Sequence, residues 1–282
     1  MNIRRSMISV AVGLGLAAFA APAFAGGSNL CADLPNWSQL RTALVKAVSA
    51  ANAGLGFNMW GVLVATDGTV CAVAFSGSDY TSQWLGSRVI AAQKANTANG
   101  FSLSNGGSPG SSLFPTGLAL STANLYSAVQ PGGSLYGLQH SNPVDTEVAY
   151  QDAWGNDAPA SQFGTASDPM VGRRIGGVNV FGGGLGAYRN GVKTGGIGVS
   201  GDTSCTDHNV AWNLRHNLKL DGLNPVKGVS GDATRPDNIV FDITPNMYGG
   251  TGVSAGGFGH PTCINYEPAG GPSYSANLPV VH

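Results

Sequence analysis

The side chains in this sequence with the widest chemical reach are five histidines, His140, His208, His216, His260 and His282. Imidazole ligates metals and exchanges protons near neutral pH. None of the five pairs at a metalloprotease spacing such as H-E-x-x-H. His208 and His216 stand eight residues apart. At ~100° per residue that puts them about 80° apart around a helix, too far round to share a ligand. His208 directly follows Asp207 at the start of a helical pattern, where the Asp207 carboxylate is placed to orient its ring. A solvated histidine at a helix start is the plain alternative. His140 sits in the loop Leu138-Gln139-His140 beside Tyr136 and is the second candidate.

The stretch before His208 is dense in glycine. Gly196-Ile197-Gly198-Val199-Ser200-Gly201 formally matches the dinucleotide pattern G-x-G-x-x-G. That pattern works when its glycines turn a parallel strand directly into a helix and present N–H groups to a pyrophosphate. Here the first glycines fall inside a hairpin strand and no βαβ unit surrounds them, although Asp221 follows at a suitable distance. The glycines instead let a ligand or another backbone approach the strand closely. Ser200, His208 and Asp207 could be drawn as a nucleophilic triad, but Ser200 lacks the closing glycine of a G-x-S-x-G elbow. A single imidazole in a glycine-lined apolar cleft is instead what an axial haem ligand needs. Tyr188, Tyr136 and Trp212 could pack on a flat ring, though lone aromatics are more often core.

The elements that must hold these residues follow from pattern. Gly176–Trp212 contains three apolar runs, Val178–Phe181, Leu185–Tyr188 and Val192–Ser200. Asn190-Gly191 joins the last two as a type I′ hairpin turn, because both residues accept φ > 0. Asp207–Leu220 reads as a helix capped by Thr206 or Asp207. Upstream, Ser38–Ala53 is an amphipathic helix, Met59–Thr66 and Thr69–Phe75 form a hairpin about Asp67-Gly68, a second type I′ signal, and Ser82–Asn99 is a second helix rich in alanine. Ala119–Gln130 is a candidate short helix. Pro143–Ile175 reads as a long surface insertion, Ile239–Ile243 as a strand, and Pro268–His282 as a poorly ordered tail. The order α-β-β-α, then β-β-β-α, predicts an α+β domain with five mostly antiparallel strands and helices on both faces.

Composition limits the function classes. Arg4 and Arg5, an apolar run from Met7 to Ala20 and Ala23-Phe24-Ala25 make residues 1–25 a secretory signal peptide, with a weak twin-arginine character. The expected location is periplasmic or secreted. No later apolar run reaches membrane length, so no membrane span is expected in the mature chain. The net charge of −1 argues against a nucleic-acid binder. With hydrophobic residues at 43%, the chain can build a core despite its 43 glycines. The four cysteines, Cys31, Cys71, Cys205 and Cys263, fit neither a zinc nor a Cys-x-x-Cys pattern. Three disulfide pairings are open. Cys31–Cys71 with Cys205–Cys263 is favoured because each bond joins a terminal segment to the sheet domain, and buried free thiols are the alternative.

The chain resembles the GlcG/HbpS family of haem-binding proteins, also found as the C-terminal domain of PduO proteins. The residues that carry this are Phe181-Gly182-Gly183-Gly184-Leu185, Asn190-Gly191, Gly195 through Gly201, and Asp207-His208. Ser87 through Lys94-Ala95, Thr97-Ala98 and Phe101, and Pro131-Gly132-Gly133-Ser134-Leu135, are similar as well. The likeness spans about Trp37 to Leu220. It divides the chain into a GlcG/HbpS-like domain at 26–220, with the insertion at about 143–175, and a C-terminal extension at 221–282. It implies a profilin-like three-layer α/β/α fold, tetrapyrrole binding (haem, with cobalamin as a weaker alternative) and homo-oligomers. The implied site residues are His208 as haem-iron ligand, with Asp207, Lys94, Gly196, Gly198, Tyr188 and His140 around the cofactor, and Arg189 as a further partner for propionates. The first helix holds no histidine, so a ligand from that helix is excluded. Two other readings stand beside haem binding: an enzyme degrading haem or acting on a small oxygenated metabolite, and a non-catalytic periplasmic module that binds a partner.

Overall fold

A computed structural model describes residues 30–50, 53–106, 113–250, 252–264, 266–267 and 270–282. The expected signal peptide lies outside the described residues. The chain runs α1 (Trp37–Ser49), β1 (Trp60–Ala65), β2 (Val70–Phe75), α2 (Ser87–Phe101), α3 (Leu138–Ser141), α4 (Thr146–Tyr150), β3 (Gly184–Arg189), β4 (Val192–Ser200) and α5 (Ser204–Asn217). A two-residue ladder, β5 (Ile243–Thr244) and β6 (Val253–Ser254), and α6 (Gly271–Ala276) follow.

The main sheet is antiparallel throughout, in the order β2-β1-β4-β3. Both hairpins form. Asn190-Gly191 has φ of 50° and 76°, as a type I′ turn requires, whereas at Asp67-Gly68 only Gly68 has positive φ (84°), so that turn is not type I′. β1 is buried along its whole length because helices cover both faces. Leu40 and Leu44 of α1 and Val210, Ala211 and Leu214 of α5 pack with Leu63, Leu185, Ile197 and Val199 on one face. Val89, Ala91, Ala92 and Ala95 of α2 pack with Val62, Val64 and Val73 on the other. β4 alternates accordingly. Its large side chains meet the first cluster, and its glycines meet α2. A Cβ built on Gly196 would lie 2.2 Å from Ala95 O, and one on Gly198 would lie 1.8 Å from Ala91 O. Glycine on the strand and alanine on the helix together permit this close approach.

Among the described residues the main sheet has four strands, not five. Val178–Phe181 joins no ladder, because side chains satisfy its backbone and that of the loop after it. Thr97 Oγ1 accepts from Asn179 N (2.9 Å), Asn179 Oδ1 from Phe181 N (3.1 Å) and Thr122 Oγ1 from Gly184 N (2.8 Å). Val180 packs instead with Leu120, Leu125 and Val129. Of the expected Ile239–Ile243 strand only Ile243 is paired, since Asn238 and Ile239 bond to His208 of α5 instead. The last helix starts at Ser204, a turn earlier than expected. Its cap is Thr203, whose side chain accepts from Thr206 N. Ala119–Gln130 resolves into two 3₁₀ turns, Thr122–Leu125 and Ser127–Val129.

The insertion is packed rather than loose. Met170 and Ile175 are fully buried in the α2-side core, and Arg88 forks onto Asp168 through contacts of 2.8 and 2.5 Å. The tail docks as well. Trp212 Nε1 donates to Pro279 O (2.9 Å), Asn213 donates to the Tyr274 hydroxyl (2.9 Å), and Leu278 enters the α5-side core. Disulfides join Cys31 to Cys71 and Cys205 to Cys263. Bonds of this kind persist in oxidising compartments. No helix among the described residues is long and apolar enough to cross a membrane.

Candidate functional site

Helix α5 carries one histidine at each end, and the two ends differ. At the N-terminal end, Lys94 from α2 reaches past the glycine strand to Asp207. Its Nζ donates to Asp207 Oδ2 (2.7 Å) and Val199 O (3.2 Å). Asp207 Oδ1 accepts from Asp202 N (3.0 Å), so both carboxylate oxygens are engaged and neither meets His208. Both partners of the ion pair are buried. Burial pushes the Asp207 carboxyl up to about 6 against the pull of Lys94, and lowers the Lys94 ammonium. The glycine φ of 114° at Gly183 lets the loop pass this pair, where a Cβ would meet Val199 O and Asp207.

His208 is fully buried beneath the C-terminal extension. Its Nε2 lies 3.1 Å from Asn238 Oδ1 and 3.1 Å from Ile239 N, while Ile239 N also donates to Asn238 Oδ1 (2.9 Å). The arrangement that satisfies both hydrogens has Nε2–H and Ile239 N–H donating to the one amide oxygen. Nδ1 is then a lone pair with no partner among the described residues. Burial lowers the ring to about 4, so it is neutral at pH 7. The extension is fixed here by Arg215, which forks onto Asp237 at 2.6 and 2.9 Å. A macrocycle needs a cleft of several hundred Å³. The His208 ring faces packed protein instead, so in this conformation the corner does not fit haem.

The structure therefore brings Lys94 and Asp207 together beside His208, and sets Gly196 and Gly198 against α2, in each case as packing. The glycines clear space for α2, and the Lys94 ammonium is spent on Asp207. Tyr188 is a core residue whose hydroxyl donates to Leu103 O (3.1 Å) and whose ionisation burial disfavours, leaving no ring face for a cofactor. His140 is exposed on α3.

At the C-terminal end of α5 an open groove of about 630 Å³ runs between α1 and the helix end. Leu34, Ala43 and Leu218 give it apolar wall, and three cations, Lys46, Arg189 and Lys219, outnumber the one carboxylate, Asp33, at its rim. Arg189 and Lys219 also line an adjoining hollow of about 390 Å³ that holds His216, Asp221 and His282. Sequence reading had noted Arg189, His216, Asp221 and His282 separately. No spacing links them, because the tail closes the hollow from the far end of the chain. His260 was likewise unassigned. It packs on Tyr126 and hydrogen-bonds Ser204 beside the Cys205–Cys263 bond, and burial lowers its ring to about 4.

The chain matches no family model and no curated protein. Among solved structures it is similar to a PduOC–haem complex (22% identity over 64% of this chain and 90% of that one, TM-score 0.40). It is similar to Klebsiella pneumoniae protein ORFY of DUF336 (22%, 64% and 86%, TM-score 0.38). A double mutant of Streptomyces reticuli HbpS is a third neighbour (13%, 76% and 99%, TM-score 0.37). A likeness at this level carries no argument about function.

Proposed function

We propose that this chain is an exported tetrapyrrole-binding protein whose ligand is haem. The sequence likeness at Gly176–Trp212 motivates the reading, and the profilin-like view of the layers goes with it. The observation that carries it is the groove at the C-terminal end of α5. A flat macrocycle with two carboxylates needs apolar wall on its faces and cations at its edge. Leu34, Ala43 and Leu218 supply the first, and Lys46, Arg189 and Lys219 the second. Haem would bring iron redox and ligand chemistry. The residues here bind and orient it. Lys94–Asp207 and Arg215–Asp237 fix α5, so that the groove is held rigid from behind.

The experiment is an absorption spectrum of the protein purified from the periplasm, followed by haemin titration. A saturable Soret change at one haem per chain supports the reading, and its absence rejects it. Decay of the Soret band under peroxide or reductant would move the reading from binding to turnover.

A further inference from the structure

Helix α5 ends where Lys219 takes a left-handed conformation, with φ of 55°. The chain then doubles back, and Asp221 returns to the last helical turn. His216 Nδ1 lies 2.7 Å from Asp221 Oδ2. A third residue arrives from the tail. His282 N donates to Asp221 O (2.9 Å) and His282 O accepts from Asn224 N (2.9 Å), so the backbone fixes this residue on both sides. Its ring stacks on His216 with centroids 5.6 Å apart and planes at 28°. One donor atom from each of the three residues lies within 4.8 Å of the other two.

We infer that His216, Asp221 and His282 form a binding site for a divalent first-row transition-metal ion. Two imidazoles and one carboxylate are the donor set that zinc, copper, nickel and ferrous iron accept. The Asp221 side chain is 4% exposed, so water solvates its charge poorly and a cation would compensate it. The two rings are stacked. They cannot grip one iron from opposite faces of a macrocycle, but one donor atom of each, with one of Asp221, lies close enough to the others to share a bare ion. Three protein ligands leave coordination positions open. Arg189 and Lys219 line the same hollow, so an anionic co-ligand such as a carboxylate or phosphate suits those positions. The site does not depend on the tetrapyrrole reading.

The test is calorimetric titration of the full, disulfide-intact protein with Zn²⁺, repeated with Co²⁺ to read the ligand field by visible absorption. One ion per chain is expected. His282→Ala, His216→Ala and Asp221→Asn should each weaken binding about 10–100-fold, the loss that even an outer-shell partner produces. His140→Ala, an exposed histidine elsewhere, should leave binding unchanged. His282 is exposed, so its variant tests the site without disturbing the core. No saturable one-to-one binding by the unaltered protein overturns the inference. So does wild-type affinity in His282→Ala. Porphyrin binding plays no part in either outcome.

Discussion

The two ends of α5 hold their histidines in opposite physical states. His208 is sealed under the extension, neutral, and surrounded by groups that engage each other. His216 is partly exposed, held by Asp221, and opens onto a cation-lined hollow. Adjacency in sequence made Asp207-His208 the sharper prospect, yet Asp207 points to Lys94. The partner of a histidine here came from chain reversal and from the tail. One end of the helix is locked by buried ion pairs, and the other opens to solvent through a groove and a hollow.

That contrast breaks most easily at the buried end. Lys94→Met leaves the Asp207 carboxylate buried without its cation and should cost about 3–5 kcal/mol, measured by denaturant unfolding. Adding Asp207→Leu should recover more than half of this, because the double variant buries no charge. A Lys94→Met protein as stable as the parent would show that the corner is not a structural lock.

The next effect is one of pH. His208 and His260 titrate in the folded state at about 4, below the ordinary 6.5. The unfolded chain takes up their protons first, so their contribution to stability is full above pH ~6.5 and is lost as pH falls toward 4. Asp207 works the other way. Its raised value, about 6 against 3.8, makes the folded state the stronger proton binder between those limits. Two imidazoles against one carboxyl leave a net loss of a few kcal/mol on acidification from 6.5 to 4. His208→Gln should reduce that slope. An unchanged slope would place His208 in a more solvated setting than the structure shows.

The smallest stability effect belongs to the open end. Replacing Lys46, Arg189 and Lys219 by alanine should change unfolding by only about 0.5 kcal/mol per site, as exposed charges do.

Much of the fold was legible in local pattern. Asn190-Gly191 fixed its hairpin through φ at both residues, Asp67-Gly68 marked the other turn through Gly68 alone, and the α1 and α2 periodicities fixed the helices to within about a turn. Val178–Phe181 was not legible, since apolar content cannot tell a paired strand from an irregular segment satisfied by Thr97 and Asn179. The glycines of β4 read correctly as close-approach residues, but only the structure shows that α2 is what approaches. Of the sites, the buried corner could be assembled from the likeness. The His216–Asp221–His282 hollow could not, because its closing residue is brought by a docked tail that glycine- and proline-rich composition marked as loose.

The central claim is that the tetrapyrrole seats at the cation-lined end of α5. Haemin titration followed at the Soret band, on the wild type, His208→Gln and the Lys46→Ala/Arg189→Ala/Lys219→Ala variant, tests it most directly. The account predicts saturable binding by the wild type, an unchanged band in His208→Gln, and affinity lowered about tenfold in the triple variant, the sum of three exposed ion pairs. A band lost in His208→Gln and untouched in the triple variant would contradict it.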